Sequence, residues 1–365
     1  MFADFDASLV APTDTQWRRD VEELSNQRLA GTACRLVRER NLPLPSAAIT
    51  ALRNATFDWS VVTTSARQHA GAAQELLSRA GIPSVLTKGI GIALHYPTLL
   101  ERPFSDVDFL VERAHFRGAM SVLRSEGYVE AQRNRSPRPE LDRYTREAVN
   151  LESPSGGKVD VHQRLPPWLW SDGLTVRDML RRATHVPVDG QRLIVASPED
   201  NLLVSALHVV SDRDRPGSTL LAWRDVQVLL DVARPDTLAA LARASGMVSW
   251  LRWIVSMLPP TASGDRLTSA MAAMTADLRH PRRLRALVAP RRLRGHPITR
   301  VLRLPSPRAA VYLAASLAPS AEYRDFHRGG APASRAQALL ASARRIRSYG
   351  SDDASHHDRS SPGTS

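Results

Sequence analysis

Two aspartates one residue apart, Asp106 and Asp108, open the alternating segment DVDFLV. In an extended strand, residues two apart point to the same side, so both carboxylates project together while Val107 and Phe109 pack inward. Paired carboxylates suit a hard cation such as Mg²⁺, which takes oxygen ligands, keeps several waters and shares its shell with substrate phosphates. The spacing alone decides nothing, because Asp-x-Asp recurs at Asp4/Asp6 and at Asp212/Asp214. Neither of those pairs begins a strand-like alternation, and Asp106/Asp108 does. A later segment, KVDVHQ, alternates Val159 and Val161 with Asp160 and His162, which sets a third carboxylate beside an imidazole on one face of another strand.

The elements that position these groups follow from local pattern. Ser84 to Thr87 (SVLT) is short, apolar and β-branched, a buried strand ending at the Lys88-Gly89 turn. Residues 90–96 form a short helix before Pro97, and 114–125 a helix closed by Gly127. Strands at 147–151 and 158–163 flank the turn SPSGG. The apolar spacing predicts helix over 13–40 and 46–80, and again over 198–210, 222–232 and 235–258. The expected organisation is a helical region at 1–80, an α+β core at 81–165, a mostly helical region at 166–349 and a polar, disordered tail at 350–365.

Composition narrows the class. With 365 residues, 43% hydrophobic and 24% charged, the chain can bury a sizeable core. No apolar run reaches the roughly 20 residues of a membrane-spanning helix. The one cysteine, Cys34, cannot make an internal disulfide, and a cytoplasmic location without membrane attachment is expected. Of the net charge of +12, nearly all lies in the last third, densest at 279–303, where nine arginines meet no carboxylate. That segment reads either as a solvated helical face or as a surface for a polyanion such as RNA. Walker A, Gly-x-Ser-x-Gly, His-Glu-x-x-His and Gly-x-Gly-x-x-Gly patterns are all missing, which removes support for P-loop, serine hydrolase, zincin and dinucleotide-binding chemistry.

The run TKGIGIALHYPTLLERPFSDVDFLV, followed by GYVEA and KVDVHQRL, resembles the uncharacterised nucleotidyltransferase family of the DNA polymerase β-type superfamily. The resemblance is densest over 84–165 and looser over SPEDNLLVSALHVV, WRDVQVLLD and LAPSAEY. It implies a polymerase β-like core, a small mixed sheet with flanking helices, and transfer of a nucleoside monophosphate from an NTP to an acceptor hydroxyl with release of pyrophosphate. By the same resemblance Asp106, Asp108 and Asp160 are the catalytic and metal-holding carboxylates, with Mg²⁺ as the cofactor and Mn²⁺ as a substitute. Asp160 would also help remove the acceptor's proton. Lys88, Gly89, Ile90 and Gly91 would face the triphosphate, since a helix N-terminus favours anions. Arg102 either contacts phosphate or braces Asp106 by an ion pair. His162 is a structural hydrogen-bonding residue or a secondary site residue, and His208, Trp223, Arg224 and Asp225 are expected to pack helices. The acceptor stays open among RNA, protein, peptide and small molecule, as does the oligomeric state. Two rivals are a non-catalytic nucleotide- or RNA-binding scaffold of the same fold and a toxin/antitoxin-type enzyme modifying tRNA or protein.

Overall fold

A computed structural model of the chain describes residues 14–131, 148–165, 174–212, 219–272 and 274. The chain divides into two compact units, Met1–Ala131 with Glu147–Arg279, and Gln132–Arg146 with His280–Ser365; every described residue belongs to the first. The arginine-rich segment 279–303, the LAPSAEY segment and the tail at 350–365 lie outside the described residues.

Helices α1 (Asp14–Asn26), α2 (Ala30–Glu39) and the long α3 (Ser46–Arg79) precede the sheet. Then come β1 (Ser84–Thr87), α4 (Gly89–Ala93), a 3₁₀ turn (Leu99–Glu101), β2 (Asp106–Val111), α5 (Phe116–Ser125), β3 (Val129–Glu130), β4 (Ala148–Glu152) and β5 (Lys158–His162). The described part ends with α6 (Val176–Arg182), the hairpin β6 (Thr184–Val188) and β7 (Gln191–Val195), and helices α7 (Pro198–Asp212), α8 (Thr219–Val232), α9 (Pro235–Ala244), α10 (Val248–Met257) and α11 (Ala262–Ala272). None of these helices is long and apolar enough to cross a membrane.

The strands form one mixed seven-stranded sheet, ordered β3-β4-β5-β2-β1-β7-β6. This is the α+β architecture expected from the sequence. Period-2 alternation sorts its faces. Val107, Phe109 and Val111 of β2, Val159 and Val161 of β5, and Val149 and Leu151 of β4 share one buried core with α3 and α5. The intervening residues of the same strands therefore point to the other face, which is where Asp106, Asp108, Asp160 and His162 stand. The α3 residues in that core, Ala66, Ala70, Ala73 and Leu77, repeat at helical steps and are mostly alanines, so the helix backbone lies close to the sheet. Gln74 fixes it there: its side-chain amide accepts from the Ile194 N–H at 2.8 Å and donates to the Ile194 carbonyl at 3.1 Å, occupying both backbone groups of one β7 residue.

Several elements differ from the sequence expectations. The hairpin β6–β7 continues the sheet beyond residue 165, where helix was expected. Its turn, Asp189-Gly190, has φ of 50° and 79°, the two left-handed residues of a tight hairpin whose twist matches its strands. The expected helix over 13–40 breaks at Gln27–Leu29, with Arg28 at φ 59°. The expected helix over 235–258 breaks at Gly246, φ 69°, because a residue in the left-handed region ends an α-helix.

Candidate active site

Parallel pairing of β2 with β5 decides the layout, since it sets Asp108 directly opposite Asp160 and Asp106 opposite Lys158. Asp108, Asp160 and His162 each offer a ligand atom, and all three atoms lie within 4.8 Å of one another. Asp106 lies outside this tight trio, two residues along the same face of β2 and half-buried. His162 joins the group in its place. Its Nε2 is 2.9 Å from Asp108 Oδ1, the same oxygen that the Lys88 ammonium approaches at 2.6 Å. Asp160 is held from the third strand, where Asn150 donates its side-chain amide to Oδ1.

The two carboxylates have opposite electrostatics. Burial works against a charge on Asp108, but the Lys88 ammonium and the His162 hydrogen bond outweigh it and hold the carboxyl well below the usual carboxylate range. Asp160 makes no ion pair among the described residues, and His162 and Lys88 lower its pKa only in part. Burial, followed by the charge of Asp108, pushes it up to about 6. On Lys88, burial favours loss of the proton, yet Asp108, backed by Asp106 and Asp160, raises its pKa. The site thus holds one carboxylate paired directly with an ammonium and one whose charge burial and Asp108 disfavour.

Lys88 is placed by an unusual backbone, φ 49° and ψ −131°, at the junction of β1 and α4. Asn201 of α7 locks that junction. Its Oδ1 accepts the Lys88 N–H at 2.9 Å, while its Nδ2 donates to the Ala196 carbonyl at 3.0 Å. The Lys88 N–H is thereby used within the protein, and Gly89, Ile90 and Gly91 are buried where α4 begins. A Cβ on Gly91 would come 2.9 Å from Asn201 Nδ2 and 3.0 Å from Val195 Cγ1. Because Asn201 is already fully engaged, Gly91→Ala is expected to cost about 1–3 kcal/mol. Urea unfolding checks this, and a variant as stable as the wild type would mean that Asn201 can move.

Arg102 does not brace Asp106 by an ion pair. Its Nε and Nη2 lie 3.2 and 2.9 Å from the two carboxylate oxygens of Asp225 on α8, and the Tyr96 hydroxyl donates to the same carboxylate at 2.7 Å. Arg102, Asp225 and Tyr96 are all buried. Sequence reasoning gave Asp225 only a packing role. Asn201 was not singled out at all, and no local pattern marks it.

The residues present fit a divalent cation. Carboxylate oxygens are the donors that Mg²⁺ and Mn²⁺ prefer, the Lys88 and His162 contacts of Asp108 both fall on Oδ1, and Asp160 sits opposite with a carboxyl whose charge burial disfavours.

The family described as an uncharacterised nucleotidyltransferase matches residues 13–249, well over half of the chain. The chain belongs to this family. No curated protein sequence matches it. Solved structures that resemble it include the antibiotic-resistance factor ANT(2'')-Ia in solution, at 12% identity and a TM-score of 0.32 over 47% of this chain and 86% of that one. Another is an antigenic nucleotidyltransferase-like protein from Paracoccidioides brasiliensis, at 15% identity and a TM-score of 0.30 over 59% and 85%. The family match spans every residue of the site, from Lys88 to Asp225.

Proposed function

We propose that the protein transfers a nucleoside monophosphate from an NTP to an acceptor hydroxyl and releases pyrophosphate. The observation that carries the reading is the register of β2 on β5, which brings Asp108 against Asp160 with Asp106 further along the same face, in a chain of a nucleotidyltransferase family. In this reading residues 81–165 are the catalytic core, and the segments 1–80 and 166–349 surround it. Asp106, Asp108 and Asp160 would hold Mg²⁺, or Mn²⁺ in its place. A cation bound there supplies charge neutralisation to the phosphates between which the bond breaks.

The chain's own residues do the rest. Lys88 keeps Asp108 ionised and fixed in rotamer, and His162 orients it from the opposite strand. Asp160, with its side chain set by Asn150, would accept the proton of the acceptor hydroxyl. Gly89, Ile90 and Gly91, with Lys88 and Arg102 nearby, would face the triphosphate. The acceptor, whether RNA, protein, peptide or small molecule, is not specified by three carboxylates and a glycine turn.

One feature favours the scaffold reading instead. Asp108 is already neutralised by Lys88 at 2.6 Å, an arrangement that a binding protein needing no metal could also use. Incubation with each α-labelled NTP, Mg²⁺ or Mn²⁺ and a cell extract separates the two, run beside an Asp106→Asn/Asp108→Asn double variant. Transfer of label with pyrophosphate release by the native protein and none by the variant is expected, and the labelled species names the acceptor class. No transfer by either protein, with equal nucleotide binding, would establish the scaffold. A single labelled protein or tRNA band would identify a toxin/antitoxin-type enzyme.

A further inference from the structure

Two arginines near the Arg102–Asp225 pair, Arg28 and Arg224, have no part in the reaction above. Arg28 occupies the break between α1 and α2, in the left-handed region at φ 59°. Its guanidinium stacks on the Trp59 ring at 4.9 Å. Among the described residues no carboxylate lies within ion-pair distance of it, although Asp106, Arg102 and Asp225 are all within electrostatic reach. Burial, with Arg102 adding to it, draws its pKa below the usual guanidinium value even though Asp106 and Asp225 act in the other direction.

The break is tied to α8, because Gln27 Oε1 accepts the Leu220 N–H at 3.1 Å. Arg224 of that helix lies over the Tyr96 ring at 6.0 Å, and among the described residues its buried Nε has no hydrogen-bond partner. Its Nη1 donates to the Gln227 side-chain oxygen at 2.9 Å. Between Arg28 and Arg224 sits the closed set Arg102–Asp225–Tyr96, whose one carboxylate is spent on Arg102 and the tyrosine. Among the described residues, then, two guanidinium groups make no ion pair of their own, Arg28 within electrostatic reach of Asp106 and Arg224 over Tyr96.

We infer that Arg28, seated over Trp59 within reach of Asp106, and Arg224, over Tyr96, form a phosphate-binding subsite around the Arg102–Asp225 pair. A guanidinium fork matches phosphate oxygens in pairs of parallel hydrogen bonds, and stacking on an indole fixes its plane before the ligand arrives. A partly desolvated arginine without an anion is costly, and a phosphate group supplies what is missing. The choice of phosphate rests on the proposed reaction, in which nucleotide phosphates gather at Asp106. The phosphate belongs either to the nucleotide or to a phosphorylated acceptor.

The test titrates the full chain with inorganic tripolyphosphate by calorimetry in EDTA, so that no metal contributes. It compares wild type, Arg28→Gln, Arg28→Lys and Arg224→Gln, each checked by a thermal melt. Affinity is expected to fall about tenfold or more in Arg28→Gln, with partial recovery in Arg28→Lys. Repeating the titration with ATP and Ca²⁺ already bound separates the sources. Loss of the Arg28-dependent binding assigns the phosphate to the nucleotide, and its persistence assigns it to the acceptor. Equal affinity in wild type, Arg28→Gln and Arg224→Gln overturns the subsite. If label transfer fails while Arg28-dependent binding holds, the nucleotidyl reading falls and the subsite stands. If transfer proceeds and tripolyphosphate binding ignores Arg28, the subsite falls alone.

Discussion

Asp108→Asn is expected to remove nucleotidyl transfer, by on the order of 10³-fold or more, and at the same time to lower stability by about 3 kcal/mol. The two losses share a cause. Asp108 is the counter-charge of Lys88, which is only 18% exposed, and the hydrogen-bond partner of His162. The amide keeps the shape but leaves the ammonium uncompensated in a site that water hardly reaches, and breaking one half of such a pair is far costlier than never having had it. Urea unfolding in EDTA measures the stability loss and label transfer the activity. A second change tests the explanation. Adding Lys88→Met should return part of the lost stability, because it removes the stranded charge, and should return none of the transfer. Recovery of transfer in the double variant would show that Asp108 acts only by neutralising Lys88.

Asp160→Asn should shift stability the other way while also abolishing transfer. Its carboxyl titrates at about 6 in the fold against an ordinary 3.8. The unfolded chain gives up this proton first as pH rises, so between about pH 4 and 6 the native state binds more protons and its stability falls with increasing pH. The penalty is absent below pH 4 and fully present above 6. At roughly 1.4 kcal/mol per unit it reaches about 3 kcal/mol. Asparagine removes it, and its carbonyl oxygen can still accept the Asn150 amide. In EDTA at pH 7.5 the variant should therefore unfold at higher urea than the wild type, the gap closing as pH falls to 4. Added Mg²⁺ should stabilise the wild type more than the variant. A variant less stable than the wild type at pH 7.5 would mean that Lys88 and His162 offset the penalty that burial and Asp108 place on the Asp160 charge.

The contrast also shows which parts of the site the sequence could reveal. Two-residue alternation and a glycine turn locate β1, β2 and β5 and so place Asp106, Asp108, Asp160 and Lys88 on them, while the family resemblance implied that they share one site. Strand pairing was not legible. Nothing in DVDFLV or KVDVH says that Asp108 rather than Asp106 faces Asp160, and that register separates the carboxyl paired with Lys88 from the one that burial and Asp108 push up. Asn201 meets Lys88 across 113 residues, and Asp225 meets Arg102 across 123, so no window of local sequence contains either pair. Arg28 breaks a helix without glycine or proline, its conformation being set by contacts with α3 and α8. The β6–β7 hairpin is different, because Asp189-Gly190 between alternating segments is a strong local signal that the helical pattern around it obscured.

The parallel pairing of β1 with β7 has a consequence for how the chain is made. β1 lies inside the finished sheet, yet the strand that covers its second edge follows only after β2 to β6 have been synthesised. While the ribosome is still producing the intervening segments, β1 exposes a row of unpaired amides and carbonyls, and the Lys88 turn lacks Asn201 to hold it. A nascent chain stalled before residue 191 therefore carries Asp106, Asp108 and Asp160 without the Asn201 clamp on the Lys88 turn, and β1 exposes an open edge to its neighbours. Slow closure of this long-range pairing makes the interval one in which chaperones can act.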